Sequence, residues 1–175
     1  GPGEHADFEE YLYYKTRLLN MCGIGLVNKD DKHAPQIIKA ANCELCTYSE
    51  ESKEADFVAS DIRYVSQPDF VGTEFHISGK YDMEVRLGIP GLFNVVNALA
   101  AVSVCSFLGL DQARISHALE NIRVNGRMEI VYTSERCTVL VDYAHNAVSM
   151  ESLLKTLRDY SPKRLVCVFG CGGNR

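Results

Sequence analysis

The segment FNVVNALAAVSVCSFLGL, residues 93–110, constrains the fold of this 175-residue chain more than any other. Apolar side chains surround it on almost every side, and a helix that is hydrophobic all round has to be buried. Asparagine and serine interrupt it, and no apolar run in the chain approaches the ~20 residues of a bilayer span. It therefore reads as a core helix of a globular protein, stopped by Gly109.

Turn residues and alternation place the rest. Between Ala55 and Leu87 the runs ADFVASDIRYV, TEFHISG and MEVRLG alternate apolar and polar residues, which predicts an antiparallel meander closed by GIPG. Upstream, FEEYLYYKTRLL (8–19) has apolar residues at helical spacing. CGIGLVN reads as a short buried strand, APQIIKAA as a helix and ELCTYS as a strand. Asp111 is an expected N-cap for the helix QARISHALENI. Two strands then flank a Ser-Glu-Arg turn in MEIVYTSERCTVLVDY, followed by helix SMESLLKTLRDY and strand RLVCVFG. Strand, helix and strand in that order predict a βαβ unit. The chain is expected to be α/β, with a domain boundary near Tyr132–Cys137. A parallel sheet needs more strands than one βαβ unit supplies, so the sequence reads as an internal piece of a longer protein.

Composition excludes some functions. A hydrophobic fraction of 46% and a charged fraction of 23% suit a soluble globular protein, and a net charge of -5 gives no electrostatic case for nucleic acid or an anionic membrane. The opening GPGEHADFEEY does not read as a secretory signal. The 7 cysteines are therefore expected to be reduced thiols in a cytoplasmic protein. Cys43 and Cys46 have the spacing of half a zinc site, but no matching second pair follows, so no zinc is expected.

Candidate site residues cluster in a few motifs. Asp142, His145 and Asn146 gather at the carboxyl end of a strand in LVDYAHNAVSMESLL, the place where open α/β sheets bind ligands. Asp142 and Asn146 could equally cap the following helix. Asn94 and Asn97 lie three residues apart on the apolar helix, either bonding a loop or reading an adenine edge. Arg127 follows Gly126, so a tight turn presents it. It is either a surface arginine or a bidentate phosphate ligand. Lys15 is either a lysine snorkelling from its helix or a partly buried amine with a lowered pKa.

Taken in order, EEYLYYKTRLL, GLFNVVNALAA, GRMEIV, VDYAHN and VFGCGGNR resemble the motifs of the Mur ligases. The resemblance spans nearly the whole chain. It implies the second half of a central ATPase domain (residues 1–132) followed by the start of a Rossmann-like C-terminal domain (133–175). The activity implied is ATP-dependent addition of the third amino acid to a UDP-N-acetylmuramoyl-dipeptide, through an acyl phosphate, in peptidoglycan synthesis. ATP and Mg²⁺ are the implied cofactors, and the dipeptide substrate and an amino acid the implied partners. The matching lysine, Lys15, would be carbamylated by CO2 and serve as a magnesium ligand, since an anionic oxygen suits that hard cation. Asn94, Asn97, Arg127, Asp142 and His145 would contact ATP, and Arg175 the carboxylate of the incoming amino acid. His5 is read as a surface residue, because the family's magnesium histidine would fall before Gly1.

The sequence contains no G-x-x-x-x-G-K-[ST] phosphate loop. By the resemblance that loop lies upstream of the matched region, so these residues by themselves are expected to be inactive. Two other readings stay open. One is a Mur-like ligase of the cyanophycin-synthetase or amidotransferase-coupled kind, and the other a nucleotide-binding module without a phosphate loop.

Overall fold

The structure is a computed structural model and describes residues 6–170. Helix α1 (Phe8–Arg17) begins at Asp7, whose side chain accepts from the Glu10 amide, and a 3-10 turn (Leu18–Asn20) finishes it. Strand β1 (Ile24–Asn28), helix α2 (Ala34–Ala40) and strand β2 (Glu44–Ser49) form a parallel crossover. Strand β3 (Phe57–Ser66) runs parallel to β2, and β4 (Val71–Gly79) and β5 (Met83–Leu87) complete the predicted meander. The result is one 5-stranded sheet in the order β1-β2-β3-β4-β5.

The meander has one face for the core and one for water. Phe75, Ile77, Met83, Val85 and Leu87 are buried, and the alternate positions carry charge. Register sets Glu74 opposite Arg86 and His76 opposite Glu84; the first two form an ion pair at 3.1 Å and the second two a hydrogen bond at 3.2 Å. Pairs this exposed stabilise little, but a one-residue slip would reverse every side chain in the strand, so the pattern fixes the register.

Helix α3 (Leu92–Phe107) is the expected core helix. Val95, Leu99 and Val102 are wholly buried, in one cluster with Phe57, Phe75, Ile77 and Val85 from the sheet and Ile115 and Leu119 from α4 (Gln112–Asn121). Asp111 caps α4 as expected, accepting from the Arg114 amide. Gly88 lets α4 come this close. A Cβ there would lie 2.3 Å from the Glu120 carbonyl oxygen, too short for any side chain. A smaller cluster of Leu19, Val27 and Ala34 seals α2 against β1.

Strands β6 (Glu129–Thr133) and β7 (Thr138–Val141) form a separate antiparallel hairpin, and helix α5 (Ala147–Asp159) follows. The further strand expected at 164–170 is not seen: the segment has no strand partner among the described residues, and Val168 is 94% exposed. Strand-forming residues make a strand only when a neighbour takes their backbone groups, and no strand of either sheet does so here.

Leu99 loses all of its exposure inside a cluster fed by sheet and helix alike. We expect Leu99→Ala to lower unfolding free energy by about 3 kcal/mol, since Leu→Ala in a filled core costs ~2–5 kcal/mol. Urea titration of the chain measures this.

Candidate nucleotide-binding site

The loop between α4 and β6 turns sharply. The Arg127 amide donates to the Val124 carbonyl, Gly126 has a positive φ of 68°, and the Glu129 carboxylate accepts from the Gly126 amide at 2.7 Å. Met128 also has a positive φ, 46°, although it is a bulky residue. Its side chain is buried and its amide donates to Asp142 Oδ2 at 2.9 Å, two restraints that hold the strained backbone in place. The turn thus presents Arg127 outward, as its position after a glycine predicts.

From this turn a continuous group of side chains extends. The Arg127 guanidinium stacks on the Tyr143 ring, 5.0 Å from its centroid, and the Tyr143 and His145 rings lie 4.9 Å apart. Asp142 sits beside them, its Oδ1 accepting from the Ala144 amide at 2.8 Å. Arg127, Asp142 and His145 are therefore brought to one corner, with Tyr143 between them, a residue the sequence reading did not single out. Its signal was its place in the sequence between two candidates, Asp142 and His145. Arg127 has no ion-pair partner among the described residues, so its paired donors remain available.

The other expected residues are placed differently. Asn146 is the N-cap of α5, accepting from the Ser149 amide at 2.9 Å, while the Ser149 hydroxyl accepts from the Asn146 amide. The capping role open for it in the sequence is the one it fills. Asn94 donates to the Pro90 carbonyl at 2.7 Å, a helix-to-loop bond. Asn97 is exposed, and its side chain's only hydrogen bond among the described residues is a long one, 3.4 Å, to the Asn94 side chain. No hydrogen bond or ring contact joins these asparagines to the Arg127 corner among the described residues.

Lys15 is exposed, where partial burial was expected. The buried stripe of α1 is Leu12 and Thr16, which leaves Lys15 on the flank with its ammonium 5.4 Å from the Tyr11 ring centroid. No group of three or more His, Cys, Asp or Glu side chains suited to a metal occurs among the described residues. His5 and Arg175 lie outside the described residues.

Two features that sequence reasoning missed lie where α5 meets the rest of the fold. The Tyr160 hydroxyl donates to the Gly72 carbonyl at 3.0 Å, accepts from the Gly91 amide at 3.1 Å and meets the Thr73 hydroxyl at 3.1 Å. The phenol has one proton, so Thr73 is the donor in the last bond. Burial pushes the Tyr160 hydroxyl pKa up against these bonds. Beside it, a groove of about 510 Å³ separates Leu92, Phe93 and Val96 of α3 from Val148, Lys155 and Asp159 of α5, with Glu50 at its edge. Glu50 Oε1 is buried without a hydrogen-bond partner. Burial above all, then the carboxylates of Asp30 and Glu51, raise the Glu50 pKa. Asp30 is fixed there because it accepts from the Ser49 hydroxyl and the Glu50 amide.

The chain as a whole is similar to known proteins. The Mur ligase middle domain matches residues 2–105, and the Mur ligase glutamate ligase domain matches residues 126–175. A UDP-N-acetylmuramoyl-L-alanyl-D-glutamate–2,6-diaminopimelate ligase of Clostridium acetobutylicum is 37% identical over 173 residues, 98% of this chain and 35% of that protein. The enzyme of the same name from Alkaliphilus oremlandii is 36% identical over 187 residues, 98% of this chain and 36% of that one. The chain thus spans about a third of the length of these relatives. A solved structure of such a diaminopimelate ligase superposes with a TM-score of 0.79 at 30% identity, over 100% of this chain and 37% of that one. A folylpolyglutamate synthase of Mycobacterium tuberculosis, at 18% identity and a TM-score of 0.67 over 91% of this chain and 37% of that one, shares the fold.

Both joints of α5 can be tested. Tyr160→Phe keeps the ring and leaves the Gly91 amide and Gly72 carbonyl without their partner, so a loss of about 1–3 kcal/mol in denaturant titration is expected. Glu50→Gln should raise the unfolding midpoint at pH 7. The folded-state pKa of Glu50 lies above its unfolded value, so the ionised carboxylate weakens the fold above that pKa and the protonated one does not. The advantage of Glu50→Gln should shrink as pH falls through the folded-state value, in melts recorded from pH 7 to pH 4.

Proposed function

The chain belongs to the Mur ligase family, and from that membership we propose that its residues form part of the nucleotide site of an ATP-dependent ligase extending a peptidoglycan precursor. Mur ligases use ATP. The substrates of this reading are a UDP-N-acetylmuramoyl-dipeptide and an amino acid, and 2,6-diaminopimelate, which appears in the relatives' names, is the first amine to assay.

The observation that carries the reading is the corner where Arg127, Tyr143, His145 and Asp142 meet. Its donor set fits a nucleotide. The Arg127 guanidinium offers paired donors to phosphate oxygens. Each Asp142 oxygen takes one backbone N–H and keeps a lone pair for a ribose hydroxyl. His145 closes the same corner, and the exposed amide of Asn97, whose nitrogen donates to Asn94, keeps its oxygen and a second N–H for an adenine. Asn94, held by Pro90, orients Asn97 from one helical turn away. ATP supplies the phosphoryl group that activates the dipeptide carboxylate for attack by the amine.

Magnesium is different. Lys15, carbamylated by CO2, would supply one anionic oxygen, and Arg175 would meet the carboxylate of the amino acid. The described residues provide no group of three or more His, Cys, Asp or Glu side chains to complete the metal's shell. The proposed division between the central domain (1–132) and the C-terminal domain (133–175) passes through β6, so the hairpin bonds of β6 and β7 cross it. A cytoplasmic setting suits the reading, since the 6 described cysteines are all free thiols. No helix among the described residues is long and apolar enough to cross a membrane.

The test is dipeptide-dependent ADP release by the ligase containing this chain. Arg127→Ala should lower kcat/KM for ATP about 100-fold, the scale of a lost transition-state donor, and Asp142→Ala should raise KM for ATP. Unchanged kinetics in both variants would remove the corner from the site. The 175 residues alone, which contain no phosphate-loop motif, should release no ADP in the same assay.

A further inference from the structure

Two cysteines outside the nucleotide corner face each other. Cys22 lies in the loop that leaves the α1 end of the chain, and Cys43 lies just before β2. Their Sγ atoms are 3.8 Å apart. Both side chains are half-buried, so a small oxidant reaches them, whereas Cys46, three residues on, is fully buried on the other side of the strand. From this geometry we propose that Cys22 and Cys43 are a preformed dithiol, closed to a disulfide by hydrogen peroxide.

The backbone supports the bond. Ile24 pairs with Glu44 in the parallel β1–β2 ladder, and the Glu44 amide donates to the Gly23 carbonyl at 3.2 Å. Extending that register sets Gly23 opposite Cys43 and Cys22 one residue further out, so with strands ~4.8 Å apart and ~3.3 Å per residue the two Cα atoms lie roughly 6 Å apart, within the range a disulfide spans. The sulfurs have to approach from 3.8 Å to about 2.05 Å, a side-chain rotation that needs room. A Cβ on Gly25 would lie 3.0 Å from Cys43 Sγ, so the glycine is what lets that thiol lie against β1.

The chemistry balances. One cysteine as thiolate attacks a peroxide oxygen and becomes a sulfenic acid, releasing water. The second thiol attacks that sulfur, forms the S–S bond and releases a second water. Two thiols and one peroxide give one disulfide and two waters. Burial, reinforced by the neighbouring Cys22, raises the Cys43 pKa, which keeps the pair reduced and slow to react until oxidant appears. The closed bond would tie the exit of the helix bearing Lys15 to the central sheet.

The experiment treats the 175-residue chain with hydrogen peroxide, alkylates the remaining thiols and digests with trypsin and a glutamate-specific protease. Cleavage after Glu44 separates Cys43 from Cys46, so mass spectrometry reads the pairing without ambiguity. The expected product is a Cys22–Cys43 cross-linked peptide, absent in Cys22→Ser and in Cys43→Ser, with Cys105, Cys137 and Cys167 alkylated. The oxidised chain should also melt roughly 5–10 °C higher, as expected for closing a loop of this size, and reductant should reverse the shift. Cross-links to other cysteines, alkylation of both Cys22 and Cys43 after peroxide, or a lower melting temperature in the linked protein would each overturn the proposal.

Discussion

Burial of α3 against the five-stranded sheet is the constraint from which the remaining structure follows. The helix's inner face needs cover from more than one element, while Phe93, Val104 and Phe107 on the outer face stay exposed. The sheet gives it Phe57, Phe75, Ile77 and Val85, and α4 gives it Ile115 and Leu119. Once Val95, Leu99 and Val102 face inward, geometry leaves few positions for anything polar. Asn94 falls near the helix start, where the Pro90 carbonyl satisfies it, and Asn97 falls on the outer stripe. The same packing fixes Gly91 at the helix entrance, and through its amide the helix reaches α5.

Tyr160 is the second joint. Its hydroxyl binds atoms of Gly72, Thr73 and Gly91, so the end of α5 is keyed to β4 and to the start of α3 together. The Tyr64 ring, 5.0 Å away, adds an aromatic contact from β3. The β7 strand end and α5 are one continuous stretch of chain, so this anchor also limits where Asp142 and His145 can be. The groove left between α3 and α5 has Glu50 at its edge, with one carboxylate oxygen buried and without a partner among the described residues. A fold tolerates such a group at a cost, and here the cost appears as a raised carboxyl pKa.

Much of the architecture could be read in advance because it rests on local periodicity. Alternation in MEVRL, the all-apolar face of NALAAVSVCSF and the Asp111 cap each depend on neighbours within one turn or one strand. The turn presenting Arg127 is legible for the same reason, since glycine at 126 permits the positive φ that the turn uses. The strand expected at 164–170 shows where local reading ends. Its residues favour a strand, but a strand exists only if another one pairs with it.

By itself, the sequence determined the α/β class, the order of elements through α5, and the family, whose five motifs occur in order along the chain. It also marked which residue types could meet a nucleotide. Tertiary structure alone decided which of them meet. It stacked Arg127 on Tyr143 beside Asp142 and His145 and left Lys15 on an exposed flank. It alone brought Tyr160 to Gly91, and Cys22 to within 3.8 Å of Cys43. Periodicity is written over a few residues, whereas these contacts join positions far apart in the chain, and only the packing of the core sets the distance between them.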